Sequence, residues 1–241
     1  MLNRILNISK LSQITQNNNF KSYNTTLPIL LQVLKKTRIG YLLKLGNSHI
    51  EARSASNLQI GSKYWAIIND SKGEFLISKL IKQPEIFELS KNSSLKFEIN
   101  EIESLLKTKN LSSTFYESLV DKITTTQNRD DFTFLSNSLF AFQKGVLNIV
   151  IKNNKKDVLF QIKKLKNNKI DFSAVFSNLG IIYGSIYNSN ELLLKVQYNN
   201  VKNILESNTK YLEGFNEIKI IVEDFVLLFD IKRENILDLE V

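Results

Sequence analysis

Residues 158–224, VLFQIKKLKNNKIDFSAVFSNLGIIYGSIYNSNELLLKVQYNNVKNILESNTKYLEGFNEIKIIVED, carry the most regular hydrophobic alternation in the chain. In three segments every second residue is apolar, as in β-strands whose side chains point alternately to the two faces of a sheet. The apolar positions are Val158, Phe160 and Ile162; Ile170, Phe172, Ala174 and Phe176; and Leu192, Leu194, Val196 and Tyr198. Asn167-Asn168 and the stretch from Asn188 to Asn190 predict turns between strands, because asparagine tolerates positive φ.

A helical period replaces this alternation after Tyr198. Apolar residues recur three or four positions apart at Val201, Ile204 and Leu205 and again at Leu212. Gly214 stands at a position typical of the glycine that ends a helix. Alternation returns at Ile218, Ile220 and Val222 and again at Phe225, Leu227 and Phe229, with Glu223-Asp224 as the turn between them. Residues 145–241 are therefore predicted to form an α+β domain, a mixed or antiparallel sheet with one helix packed on one face.

Residues 27–84 show a different pattern, in which short apolar segments follow one another with turn residues between them. Five strands are predicted in LPILLQVLKK, RIGYLLKLG, SHIEARS, KYWAIIND and EFLISKLIK. Gly46-Asn47 and the stretch from Asp70 to Gly73 provide tight reversals. A unit of this size with five short strands is most economically a small closed β-barrel, SH3-like or OB-like, since closure removes exposed edges.

Residues 85–144 are predicted to be a helical connector of two or three helices. Apolar residues fall on helical stripes at Ile99, Ile102, Leu105 and Leu106 and at Phe132, Leu135, Leu139 and Phe142. Asp130 or Asp131 is the predicted N-cap of the last helix, and Gly145 is predicted to end it. Residues 1–26 lack sustained periodicity and are predicted to be a flexible tail.

Composition limits the class of protein. The chain has 241 residues, 43% of them hydrophobic, which is enough for at least two globular domains. Without cysteine it has no disulfide, no thiolate nucleophile and no cysteine-based zinc site, which fits a reducing compartment. A net charge of +8 favours acidic partners without choosing among nucleic acid, lipid and protein. No apolar run reaches the roughly 20 residues that a membrane-spanning helix needs.

The first fifty residues contain no Asp or Glu. A disordered tail, a mitochondrial presequence and a signal for type III export are all compatible with this uncharged, Asn/Ser/Thr-rich beginning. The residues alone leave these alternatives open.

The candidate catalytic motifs are incomplete. His49 is the only histidine, and one histidine defines neither a catalytic triad nor a metal site. Ser185 lacks the following glycine of a nucleophile elbow, and the stretch from Gly61 to Lys63 lacks the upstream glycine of a phosphate loop. A helix start and a turn explain the acidic pairs Asp130-Asp131 and Glu223-Asp224. We therefore predict a protein that is not an enzyme and that has no catalytic residue, cofactor or metal site.

An alternative function, nucleic-acid binding, depends on one strand of the predicted barrel. Tyr64 and Trp65 could stack on bases while nearby cations follow the phosphates, as in OB-fold proteins. The proposed face comprises Lys35, Lys36, Arg38, Lys63, Tyr64 and Trp65. Adjacent strand residues point to opposite faces, so one of the two aromatic rings is expected to lie in the core.

The carboxyl-terminal part of the sequence resembles a known protein family. The stretch from Val158 to Asp224 resembles the C-terminal domain of flagellar hook-length control proteins, in which two strands flank a Leu-Gly pair and are followed by a strand, a leucine-bearing helix and a closing strand. Leu179-Gly180 matches the pair, and Ile204, Leu205 and Leu212 match the helix leucines. Ser177-Asn178 stands where the family often has a proline. The segment YLLKLGNSHIEARS and its surroundings are similar to the small β-module of shorter family members.

The resemblance implies a bacterial, non-enzymatic protein that acts in the cytoplasm on the flagellar type III export system, or that is itself exported through it. Its implied partner is the cytoplasmic domain of the flagellar export-switch protein, with hook-assembly proteins as further candidates. The implied activity is hook-length control or switching of export substrate specificity. From the predicted strand and helix faces, the partner-binding residues would be Lys195, Gln197, Lys202 and Lys210.

Overall fold

The computed structural model describes residues 6–7, 27–54, 57–71, 74–106, 110–152 and 156–231. Apart from residues 6–7, the predicted tail of residues 1–26 lies outside this part of the chain. The chain divides into two compact units, one formed by residues 1–83 with Asn178–Gly180 and the other by Pro84–Ser177 with Ile181–Val241. Both units contain a β-sheet, and the second also contains helices, so the predicted α+β class is confirmed.

The sheet of the first unit has six strands in the order β1-β6-β5-β2-β3-β4, and every pairing in it is antiparallel. Its strands are β1 (Leu6–Asn7), β2 (Ile29–Lys36), β3 (Tyr41–Leu45), β4 (Ser48–Ala52), β5 (Lys63–Ser71) and β6 (Glu74–Lys82). The five strands predicted from the alternation of residues 27–84 correspond to β2 through β6. Gly46, in the predicted turn between β3 and β4, has a φ of +54°.

The predicted closed barrel is not found in the described residues. β1 and β4 lie at opposite ends of the strand order and do not pair, so the sheet is open. Two irregularities, between Val33 and Lys35 and between Trp65 and Ile67, interrupt the ladder. Alternation in the sequence determines which residues form strands, but barrel closure depends on pairing between distant edges, which alternation does not encode.

The core of the first unit lies on one face of its sheet. Its buried side chains come mainly from alternate strand positions: Leu31, Val33, Tyr41, Leu43, Leu45, Ile50, Ala52, Leu58, Tyr64, Ala66 and Ile77. Two buried tyrosines keep their hydroxyls hydrogen-bonded to the loop after β4, because the Leu58 amide donates to Tyr41 and the Gln59 amide donates to Tyr64. These bonds connect the loop to the core.

Four helices begin the second unit: α1 (Glu85–Ser90), α2 (Ile99–Leu106), α3 (Leu111–Thr125) and α4 (Arg129–Gln143). The predicted N-cap of α4 was wrong by two or three residues. The Asn128 side chain caps the helix by accepting hydrogen bonds from the amides of Asp130 and Asp131. Gly145, with a φ of +75°, follows the end of α4 as predicted.

The sheet of the second unit also has six strands, and their spatial order follows the sequence: β12-β11-β10-β9-β8-β7. They are β7 (Val146–Ile151), β8 (Val158–Lys164), β9 (Ile170–Phe176), β10 (Gly180–Tyr187), β11 (Glu191–Val196) and β12 (Glu217–Val222). The helix α5 (Asn199–Ser207) joins β11 to β12 and packs against both. Consequently β12 runs parallel to β11, while β7 with β8, β8 with β9 and β10 with β11 pair antiparallel.

The turns predicted at Asn167-Asn168 and at Asn188 to Asn190 are confirmed. Asn167 and Asn168 have φ values of 58° and 53°, and Asn188 and Ser189 have values of 51° and 66°. Positive φ at two successive residues is the geometry of the tight hairpin turns that match strand twist.

Several predictions near the carboxyl end were wrong. α5 ends at Ser207 and a 3-10 turn, Thr209–Tyr211, follows, so Leu212 and Gly214 lie beyond the helix. Residues 223–231 form neither the predicted last strand nor a turn at Glu223-Asp224. The Glu223 amide instead donates to the carbonyl of Val196, which prolongs the pairing of β12 with β11.

Within the described residues, no helix combines the length and apolar content needed to cross a membrane.

Candidate protein-binding surface and buried polar cluster

Lys195 and Gln197, two of the four predicted binding residues, follow one another on β11 and just after it. Lys195 alternates with the buried Leu194 and Val196, so it projects from the opposite face of the sheet, where its ammonium lies 3.0 Å from a carboxylate oxygen of Glu223. Gln197 is only 7% exposed, contrary to the prediction that it lies on the surface, and its Oε1 has no hydrogen-bond partner among the described residues. Lys195 alone of this pair is accessible.

Lys202 and Lys210 lie on α5 and on the 3-10 turn after it. The Lys202 ammonium lies 3.5 Å from Glu206, one helical turn away, and Lys210 is exposed with its ammonium 5.1 Å from the centre of the Tyr211 ring. α5 covers the face of β11 that carries Leu194 and Val196, because these side chains are buried and α5 packs on that strand. The structure thus brings Lys202 and Lys210 to one side of the sheet and Lys195 to the other.

The residues of the alternative nucleic-acid face do not form the predicted arrangement. Lys35, Lys36 and Arg38 are exposed and Lys63 is half-buried. Tyr64 is buried, and Trp65 is completely buried, so neither ring presents a face on which a base could stack. Strand alternation predicted one of the two rings to be in the core. Tyr64 and Ala66 belong to the core cluster of the first unit, whereas Trp65 between them does not and is buried as well, which alternation did not predict.

A polar cluster that no local sequence pattern predicted is buried in the second unit. Ser138 of α4, Asn148 of β7, Gln161 of β8 and Ser173 of β9 form a continuous chain of hydrogen bonds. Asn148 donates to the Ser138 hydroxyl (3.4 Å), Gln161 donates to Asn148 Oδ1 (3.1 Å), and Ser173 donates to Gln161 Oε1 (2.9 Å). All four residues are buried. α4 therefore covers the face of the sheet that carries these side chains, while α5 packs on the opposite face at β11 and β12, so the sheet is not covered on one face only, contrary to the prediction.

Gln161, at the centre of this cluster, also bonds to the backbone of Phe229. Its Nε2 donates to the Phe229 carbonyl at 2.7 Å, and its Oε1 accepts from the Phe229 amide at 3.3 Å. Together with the bonds to Asn148 and Ser173, this uses both amide hydrogens and both lone pairs of the side chain. A completely buried glutamine with every group satisfied is a specific contact and not a residual surface polar residue.

A second polar group surrounds Asp171 at the start of β9. Ser185 of β10 donates a 2.6 Å hydrogen bond to its carboxylate, and the Lys169 ammonium lies 3.2 Å away. Burial works to raise the pKa of Asp171, but hydrogen bonds from Ser185, Tyr183 and Lys169 and the charge of Lys169 outweigh it and lower that pKa. Burial and the neighbouring Asp171 raise the pKa of Tyr183 to about 12.

These shifts favour the ordinary protonation states at neutral pH. Desolvation works to lower the pKa of Lys169, but its bonds to Asp171 and Tyr187 raise that pKa above the usual value. Lys169 and Asp171 are thus charged and Tyr183 is neutral, so the group holds neither an activated nucleophile nor a base poised near neutral pH. Its arrangement stabilises the sheet.

In the described residues, the remaining candidates for catalysis or metal binding do not form a site. His49 is exposed on β4, and no group of three or more His, Asp or Glu residues in the described part of the chain is arranged to hold a metal ion. Asp131 is buried and accepts hydrogen bonds from the Ser94 amide and the Thr126 hydroxyl, which gives this carboxylate a structural role beside the start of α4.

Comparison with protein-family models, with curated proteins and with solved structures yields no match to this chain.

Proposed function

We propose that the chain is a non-enzymatic, protein-binding factor of the flagellar type III export system that acts in hook-length control or in switching export specificity. One observation supports this proposal above the others. The order of elements that the resemblance implies, two strands flanking Leu179-Gly180 and then a strand, a helix and a closing strand, corresponds to β9, β10, β11, α5 and β12. Gly180, with a φ of +79°, follows the turn between the two flanking strands.

The proposed partner is the cytoplasmic domain of the flagellar export-switch protein, and the proposed contact is the outer surface of α5 with the turn after it. Lys202 and Lys210 lie there with the exposed ring of Tyr211. Cations beside an exposed aromatic ring suit a partner surface that combines carboxylates with apolar contact. Lys195 projects from the other face and is engaged with Glu223, so we assign it no more than a peripheral role. Gln197 is buried and would act through packing.

Binding to the purified cytoplasmic domain of the export-switch protein tests the proposal by isothermal titration calorimetry. We expect saturable binding by the full chain and at least about tenfold weaker binding by the double charge reversal Lys202→Glu with Lys210→Glu. The matched control is Lys35→Glu with Lys36→Glu, which changes the net charge equally on exposed residues of the first unit. Circular dichroism shows whether each variant is folded.

Absence of binding by the wild-type chain would contradict the proposed partner. Equal loss of affinity in both double variants would show that net charge, and not the surface of α5, governs the encounter.

A further inference from the structure

Residues 223–231, EDFVLLFDI, cross one face of the second sheet and are called the strap below. They contain no helix or strand. The Phe225 ring lies 5.7 Å from the ring of Tyr183 on β10, and the Phe229 ring lies 6.1 Å from that of Phe140 on α4. The strap thus leaves β12 at the sheet edge, passes over β10 and reaches Gln161 on β8.

Beyond Glu223, which pairs with Lys195, two aromatic side chains four residues apart anchor the strap. Phe229 is buried and Phe225 is half-buried, whereas Val226 between them is 83% exposed. Beyond the anchors, Asp230 accepts a long hydrogen bond of 3.5 Å from the Ile86 amide. A segment with few buried apolar contacts and no ladder of its own opens at a lower free energy than the sheet beneath it.

Gln161 hydrogen-bonds to the backbone of Phe229, so this contact does not depend on the side chain at position 229. The glutamine amide donates to the carbonyl and accepts from the amide of the same residue, as a neighbouring β-strand does in an antiparallel pair. Gln161 is itself fixed by Asn148 and Ser173, so it keeps this orientation without the strap. A side chain oriented to bind a backbone, next to the Phe140 ring that packs on an aromatic side chain, provides the two contacts that an extended peptide needs for binding.

We propose that the strap is a detachable ligand in cis, and that the site beneath it is a receptor for an extended peptide segment of a partner protein bearing aromatic side chains four residues apart. The contacts of the strap define what the partner's segment must supply. Its backbone bonds to Gln161, one aromatic ring packs on Phe140 and a second ring packs on Tyr183. The partner's segment takes the place of the strap, so release of the strap controls access. The site is on the sheet and not on α5, and it does not depend on a flagellar partner.

Hydrogen exchange of the wild-type chain tests detachment. The Phe229 amide bonds to a side chain and not to a strand, so we expect it to exchange at least about tenfold faster than the paired amides of β8 and β9 at neutral pH. Equal rates for Phe229 and these strand amides would show that the strap opens only when the whole unit unfolds, and would overturn the proposal.

Binding of a fluorescent peptide with the sequence of residues 223–231 tests the receptor site. In the full chain carrying Phe225→Ala and Phe229→Ala, the strap lacks its anchors, and we expect the peptide to bind at least about tenfold more tightly than it binds the wild-type chain. A peptide with alanine at both anchor positions is the control and should not bind.

Two outcomes would overturn the receptor. One is absence of peptide binding to the double variant while hydrogen exchange shows its sheet intact. The other is unfolding of the second unit in the double variant, which would make the strap an integral part of the core and not a ligand.

Discussion

The Ser185 hydroxyl and the Asp171 carboxylate, on neighbouring strands of the second sheet, are joined by a hydrogen bond of 2.6 Å. Because that bond and those from Tyr183 and Lys169 favour the ionised carboxylate, the pKa of Asp171 in the folded protein is below its ordinary value of 3.8. A carboxyl group with a lowered folded pKa contributes stability above the unfolded pKa, and this contribution is lost as the pH falls through the folded pKa.

Replacing Asp171 by Asn is therefore expected to lower the free energy of unfolding at pH 7 by roughly 1.5–3 kcal/mol, the range for hydrogen bonds to charged groups. The difference from wild type should shrink as the pH falls below 3.8. Urea denaturation, followed by circular dichroism at pH 7 and at a pH below 3.8, measures this difference in the free energy of unfolding. The exposed Asp224→Asn is the control, and a difference for Asp171→Asn that is independent of pH would contradict the prediction.

Gly184 lies against the ring of Phe172, and a Cβ added there would lie far inside van der Waals contact with three ring atoms. We expect Gly184→Ala to destabilise the protein by roughly 1–3 kcal/mol through overpacking. The second substitution Phe172→Leu should recover part of the loss, because it removes the atoms that clash. Thermal unfolding of the two single variants and the double variant measures the coupling, and strictly additive effects would exclude the clash as the cause.

Asn128→Ala removes the side chain that caps α4, so we expect a loss of about 1 kcal/mol in the free energy of unfolding. Gln127→Ala, an exposed neighbour outside the helix, is the control and should be nearly neutral. Denaturant midpoints compare the two variants. If both changed stability equally, the capping bonds would not be responsible.

Trp65 is the only tryptophan in the chain and is completely buried. Its fluorescence should be blue-shifted and weakly quenched by iodide in comparison with a free tryptophan amide. Adding single-stranded DNA at low salt should leave the emission unchanged, because no base can stack on this ring. Strong quenching by the DNA would restore the nucleic-acid alternative.

Alternation predicted most of the strands, because apolar residues recur at every second position in their sequences. It missed β7, whose sequence VLNIVI is nearly continuous in apolar residues and shows no period of two. It also predicted strand β12 followed by another strand, although the alternating Phe225 and Phe229 pack as anchors without any backbone pairing. A period of two shows which residues can face a core, not whether a neighbouring strand is present.

The candidate site was harder to predict than the strands. Gln161 and Ser173 alternate with apolar residues, a pattern typical of a solvated face, yet α4 and the strap cover that face. Asp130 and Asp131 suit an N-cap by residue type, but Asn128 takes the role because its side chain precedes the first helical turn. Contacts between residues far apart in sequence, such as Gln161 with Phe229, leave no local pattern.

The parallel pairing of β12 with β11 also bears on how the chain is made. As the ribosome extends the polypeptide, the strands from β7 to β11 can assemble by successive hairpins, since each pairs with the one before it. The outer edge of β11 stays unpaired until α5 and β12 emerge. Until then the side chains of Leu192, Leu194 and Val196 remain uncovered. A nascent chain that stalls before Glu217 presents a bare strand edge beside an apolar face, and that intermediate is the one most in need of a chaperone.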